Sequence, residues 1–275
     1  MQKKHLIIRI CFVLVWIASA FSIAIAQDVH SQHEAHLNGA AEKSFKAEMS
    51  VPDGIRQEEP FRIKIFIKDD KGENVPDFDI FQEKLMHLIL VSNDLGFFRH
   101  LHPEHQGNGY FLTDATLPSA GDYTLFADYK PTGQKEQLSV LKLGMKGKEK
   151  LSDITDTRKT EKIIDDIKVS VKFSPETVKA NEETTITFDL KQFADKTPVK
   201  GLQPYLGEKG HLVIIKKSSV FTSKNYIHAH AMKGGEDSKI EFMTGFPEAG
   251  LYKMWCQFDH KGKIIVADFW VNVQP

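Results

Sequence analysis

Residues 117–129 read LPSAGDYTLFADY, and residues 246–258 read FPEAGLYKMWCQF. The two stretches share Pro118/Pro247, Ala120/Ala249, Gly121/Gly250 and Tyr123/Tyr252 at one offset of 129 residues. Each is a Pro-x-x-Gly turn that opens into a period-two run. Tyr123, Leu125, Ala127 and Tyr129 alternate with Thr124, Phe126 and Asp128; Tyr252, Met254, Cys256 and Phe258 alternate with Lys253, Trp255 and Gln257. A turn followed by such alternation predicts a β-strand with one face on a core. Phe126 and Trp255 fall on the other face, with Asp128 and Gln257, and are expected to cover the far side of the sheet.

Further landmarks repeat in the same order. VPDGIRQEEPFRIKIFIK (51–68) aligns without gaps to SPETVKANEETTITFDLK (174–191). His87 matches His211, and His100-Leu101-His102 matches His228-Ala229-His230. The offset drifts only from 123 to 129, so insertions fall in loops and the chain is an internal duplication. Phe61, Ile63, Ile65 and Ile67 alternate with Arg62, Lys64 and Lys68, and Ile167, Val169, Val171 and Phe173 alternate with Lys168, Ser170 and Lys172. MHLILV (86–91) and HLVII (211–215) are apolar on both faces, as central strands are. About seven short strands per copy and no long amphipathic helix predict an all-β chain. The expected architecture is two tandem immunoglobulin-like antiparallel β-sandwiches, with a cupredoxin-like sandwich as the alternative.

The first module is expected over 44–145 and the second over 167–275. Between them, 146–166 (KGKEKLSDITDTRKTEKIIDD) is highly charged and reads as a solvated linker. Residues 1–26 carry Lys3, Lys4 and Arg9, then an apolar run ending Ala24-Ile25-Ala26, the pattern of a secretory signal peptide. No membrane span is expected after its cleavage, and a bacterial periplasmic or extracellular location follows. Residues 27–43 form a polar tail with His30, His33 and His36, a segment suited to weak Cu²⁺ or Zn²⁺ capture or to service as a spacer. Without the leader, Lys and Arg fall from 36 to 33 against 37 acids, which argues against a nucleic-acid partner.

The histidines carry the chemistry. On a strand, His-x-His places both rings on one side, roughly 6–7 Å apart at Cα. Two imidazoles so placed, with a third from a neighbouring strand, can share one ion at bonds of roughly 2 Å, and imidazole suits copper or zinc. Two sites are therefore expected: His87, His100 and His102 in the first module, His211, His228 and His230 in the second. The competing reading is structural, with turn histidines bonded to carbonyls and His87 a satisfied core residue.

Cys256 and His260 stand four apart in CQFDH, a spacing shared with blue-copper sites. The alternation instead puts Cys256 in the slot of Ala127, on the core face, which predicts a small buried cysteine. No nucleophile elbow or phosphate loop is present, and the chain is not expected to be an enzyme. Glu104, Asp114 and Asp128 read as ordinary acids near turns.

MHLILVSNDLGFFRHLHPE, YLGEKGHLVII, YIHAHA and FMTGFPEAGLYKMWCQFDHKGKI resemble a group of secreted bacterial proteins with two β-sandwich modules, often seen in metal-handling contexts. The resemblance covers most of residues 45–273. It implies a fold and a compartment, not a reaction, and points to the same six histidines. The group does not require cysteine at position 256.

Three functions follow as expectations. The first is a periplasmic binder of copper or zinc acting in metal buffering, delivery or resistance. The alternative is a metal-free tandem interaction module with an envelope protein partner. The third is a blue-copper electron carrier using Cys256.

Overall fold

The alternation of Phe61, Ile63, Ile65 and Ile67 forms one side of a ten-residue strand whose other side faces solvent. In the computed structural model, which describes residues 44–148 and 159–275, strands make up the regular structure of those residues apart from one 3-10 turn at Ser223–Asn225. The expected signal peptide and the tail with His30, His33 and His36 lie outside the described residues. No helix among the described residues is long and apolar enough to cross a membrane.

The first half contains β1 (Phe45–Ser50), β2 (Pro60–Asp69), β3 (Met86–Ser92), β4 (Phe98–Leu101), β5 (Glu104–His105), β6 (Tyr110–Thr116), β7 (Gly121–Tyr129) and β8 (Gln137–Met145). The second contains β9 (Glu161–Ile164), β10 (Ile167–Ser174), β11 (Glu183–Gln192), β12 (Leu202–Gln203), β13 (His211–Lys216), β14 (Tyr226–His230), β15 (Lys239–Gly245), β16 (Gly250–His260) and β17 (Lys263–Val273). Sheets β1-β2-β6-β5 and β4-β3-β7-β8 make the first sandwich. Sheets β15-β11-β10-β9 and β12-β16-β13-β14, the latter extended by β17 on β16, make the second. Seven strands correspond between the halves: β1, β2, β3, β4, β6, β7 and β8 with β10, β11, β13, β14, β15, β16 and β17. All the ladders between these strands are antiparallel, and the fold is all-β and immunoglobulin-like.

Both Pro-x-x-Gly landmarks become tyrosine corners. Tyr123 Oη donates to Ser119 O at 2.7 Å, and Tyr252 Oη donates to Glu248 O at 2.8 Å. Gly121 and Gly250 turn into their strands at φ 137° and 141°, and a Cβ at Gly250 would lie 2.9 Å from Lys216 Cε.

Each sandwich has its own core, one centred on Ile63, Ile65, Leu88, Phe111 and Leu125, the other on Ile186, Phe188, Leu212, Phe242 and Met254. A third core lies between them, formed by Ile89, Val91, Phe98 and Phe126 of the first half with Val213, Ile215, Phe221 and Trp255 of the second. It explains why MHLILV and HLVII are apolar on both faces. Met86, Leu88 and Leu90 fill their own sandwich, and Ile89 and Val91 pack on the other. The contact is quasi-symmetric: Phe98 stacks on Trp255 with centroids 4.8 Å apart, and their counterparts Tyr226 and Phe126 stack at 5.0 Å.

The segment 146–166 is not linker throughout. β9 lies inside it and pairs with β10 from Ile164↔Ile167 to Glu161↔Ser170. Ile163 and Ile164, the first apolar pair after the charged run, supply the strand.

Candidate metal centre

Period two dictates where the histidines go. On β3 the junction face is His87, Ile89 and Val91; on β13 it is His211, Val213 and Ile215. The apolar members form the third core, and the histidines form its polar end. Both His87 and His211 are 0% exposed. Neighbouring strands bring the His-x-His pairs alongside: β4 places His100 opposite Ile89, and β14 places His228 opposite Val213 and His230 opposite His211. The two expected sites therefore form one cluster across the junction. His87 and His228 have ring centroids 5.7 Å apart, His87 and His211 6.2 Å, and His100 and His211 6.1 Å.

Each half contains a similar chain of hydrogen bonds, which ends on the first turn residue in one half and one position further along the turn in the other. His87 Nε2 lies 3.2 Å from Phe81 O, and His87 Nδ1 lies 3.0 Å from His100 Nε2. In the second half, His211 Nε2 lies 3.4 Å from Leu206 O, and His211 Nδ1 lies 3.1 Å from His228 Nε2. A carbonyl only accepts, so Nε2 of His87 and of His211 carries the proton. In a neutral ring Nδ1 is then an acceptor, so His100 and His228 donate from Nε2, and their own Nδ1 atoms need donors.

Those donors come from the opposite sandwich. Gln257 Nε2 lies 3.2 Å from His100 Nδ1, and Asp128 Oδ2 lies 3.3 Å from His228 Nδ1. Asp128 and Gln257 are counterparts in the duplication, on β7 and β16. The amide always has a proton to give; the carboxyl has one only when protonated. Burial raises Asp128 to about 7, offset in part by His230, which favours the donating form.

Burial also keeps the rings neutral. It pushes His87 down to about 2, with His228 adding to the effect, and His100 well below its ordinary value, with His102 and His87 adding. His102 falls to about 4 through burial and the charge of Lys84. His211 falls to about 3 through burial and His228, and His228 to about 3 through burial and His230. Neutral imidazole is also the form that ligates a metal.

Nitrogen atoms of His87, His100 and His102 all lie within 4.8 Å of one another, the one such group of three among the described residues. His102 Nε2 is buried without a hydrogen-bond partner among them. The 3.0 Å between His87 Nδ1 and His100 Nε2 approaches the separation of two ligands on one ion with bonds of about 2.0–2.1 Å. An ion there would replace the shared proton.

His230 behaves differently from His102: it is exposed, and its ring nitrogens lie 2.6 and 3.1 Å from Gln82 Nε2. Cys256 lies in the core of the second sandwich, on the face of β16 opposite Gln257, with its thiol pushed up by burial. The structure does not bring it to the histidines. His260 is buried, with Nε2 lacking a hydrogen-bond partner among the described residues. Asp128, expected as an ordinary acid near a turn, is instead a buried strand residue of the cluster. Sequence reasoning missed Asp128, Gln257 and Gln82 as histidine partners. The first two stand on the strand face already separated from the core by alternation, which was the available signal.

Two tandem immunoglobulin-like sandwiches enclosing a buried histidine cluster define the class of protein. The model of the family described as Domain of unknown function (DUF8832) matches residues 41–141 and 162–275, and the chain belongs to that family. None of the curated proteins matches it. Among solved structures it is similar to a Salmonella alpha-2-macroglobulin mutant (12% identity, TM-score 0.28, 89% of this chain and 16% of that one) and to the Yersinia pseudotuberculosis adhesin InvE (8%, 0.24, 84% and 59%). It is also similar to a two-domain fibronectin type-III segment of chicken tenascin (11%, 0.24, 82% and 98%). The chain thus spans less than two thirds of the first two proteins.

Proposed function

We propose that the protein is an exported, non-enzymatic binder of a transition-metal ion, copper before zinc, acting in the periplasm in metal buffering, delivery or resistance. The observation carrying this reading is the convergence of nitrogen atoms from His87, His100 and His102 within 4.8 Å, in a setting that keeps the rings neutral. Three imidazoles and no thiolate suit Cu²⁺ or Zn²⁺. The basic, apolar leader supports export. In a test with tag-free protein, Cu²⁺ in competition with a chelator should bind, and His100→Ala should lose that binding. Equal binding by the variant would refute the site.

A second reading is favoured by the hydrogen-bond chains, which close from Gln257 to Phe81 O and from Asp128 to Leu206 O without any ion. In that case the cluster is structural, and the tandem sandwiches serve as an interaction module for an envelope protein. A melting temperature unmoved by Cu²⁺, Zn²⁺ or strong chelation would favour this reading.

A further inference from the structure

The duplication makes each half a control for the other. His102 corresponds to His230, and Gln82 corresponds to Leu206, in the turns before β3 and β13. The two turns have one form. Phe81 bridges Lys84 as Tyr205 bridges Glu208, and Gln82 and Leu206 are both left-handed, at φ 49° and 54°. The aromatic residue opening each turn packs edge-on against the strand histidine, Phe81 on His87 and Tyr205 on His211. What differs is the side chain at the second position.

Gln82 crosses the junction and engages the His230 ring, with its amide nitrogen 2.6 Å from Nε2. Its Oε1 is buried without a hydrogen-bond partner among the described residues. Either orientation of the amide therefore presents a polar atom to His230. Leu206 has no polar side-chain atom to offer in return. His102, the counterpart of His230, keeps a buried and unpartnered Nε2, and its ring lies 4.5 Å from that of His100 and 5.2 Å from that of His87. The corresponding separation in the second half, His211 to His230, is 6.4 Å. The first triad is drawn together, and the second is held apart at its third member.

We propose that only the His87–His100–His102 triad takes a metal ion, and that Gln82 closes the second triad, His211–His228–His230, by occupying His230. This rests on the metal-binding reading above and adds to it a stoichiometry of one ion and a residue that sets it. Reaching a second ion would require His230 to exchange a contact with Gln82 for a ligand bond, whereas His102 has no such contact to lose.

The test is a Cu²⁺ titration of the full chain against a competing chelator. A background carrying His30→Ala, His33→Ala and His36→Ala removes the tail as a binding site. The parent should bind one equivalent, Gln82→Leu should bind two, and adding His230→Ala to Gln82→Leu should restore one. His230→Ala alone should leave the single equivalent and its affinity unchanged, which keeps the inference open to refutation even if Gln82→Leu folds poorly. Two equivalents in the parent, or a tenfold loss of affinity in His230→Ala, would overturn the inference while leaving metal binding standing. One equivalent in folded Gln82→Leu would overturn the role of Gln82. No binding in the parent would overturn the metal reading itself.

Discussion

Asp128 Oδ2 reaches His228 Nδ1 across the junction at 3.3 Å, where its counterpart Gln257 reaches His100 Nδ1 at 3.2 Å. The two contacts bind each sandwich to the histidines of the other. They differ in one respect: a carboxyl can lose its proton. If Asp128 ionises, it must accept from His228 Nδ1, and His228 Nε2 then cannot donate to His211 Nδ1 while the ring stays neutral. One bond of the chain is lost, or a buried ring is charged.

Asp128→Asn should therefore fold normally, since its amide donates as Gln257 does. Asp128→Ala should cost about 1–3 kcal/mol, because His228 Nδ1 is left buried and unpaired. Asp128 is raised from 3.8 in the open chain to about 7 in the fold. Its stabilising contribution is complete below pH 3.8 and is lost as pH rises through about 7. Urea unfolding should show Asp128→Asn gaining on the wild type between pH 4 and 7, with no further change above pH 8. A pH-independent difference would contradict the donating carboxyl.

The histidines predict the opposite slope, and they outnumber the acid. His87, His102, His211 and His228 sit at about 2, 4, 3 and 3 in the fold, against 6.5 in the open chain. Below pH 6.5 the unfolded chain takes up protons that the fold refuses, so stability falls as pH falls, by roughly 1.4 kcal/mol per pH unit for each such ring. The urea midpoint should drop steeply from pH 7 to 5. A flat midpoint over that range would show the rings to be accessible to protons.

The quasi-symmetric stacks give a packing test. Trp255→Ala and Phe126→Ala should each cost about 3–5 kcal/mol, because both rings are buried in the junction core. The Phe98–Trp255 pair should also show a coupling of about 0.5–1.5 kcal/mol in a double-mutant cycle. A cost below about 1 kcal/mol for both single substitutions would mean that the sandwiches do not rely on this contact.

Much of this was legible in the sequence, for identifiable reasons. Alternation at Phe61–Ile67 marks a one-sided strand, alternation at Tyr123–Tyr129 separates the core face from the face of Phe126 and Asp128, and the slowly drifting offsets mark the duplication. Alternation also places Cys256 with Met254 and Phe258, in the core where it is found. What was not legible is which surface covers a second apolar face. MHLILV records that Ile89 and Val91 are covered, but not that Val213 and Ile215 cover them. The same gap separated the histidines into two sites, because His87 and His228 meet only when the sandwiches dock. Asp128 and His228 stand 100 residues apart, and no local pattern links them. Gln82 sits in a turn whose residue types report backbone shape alone.

Metal binding should couple to stability. An ion at one hundred times its Kd stabilises the fold by about 2.7 kcal/mol. Saturating Cu²⁺ should thus raise the melting temperature of the wild type and of His230→Ala, but not of His102→Ala. A rise in His102→Ala equal to that of the wild type would place the ion elsewhere.

The most direct measurement is an anomalous-scattering crystal structure of the copper-loaded protein. One anomalous peak is expected at the junction, at bonding distance of about 2 Å from nitrogen atoms of His87, His100 and His102, with His230 still on Gln82. No peak at these three histidines in protein soaked with excess copper would contradict the metal site.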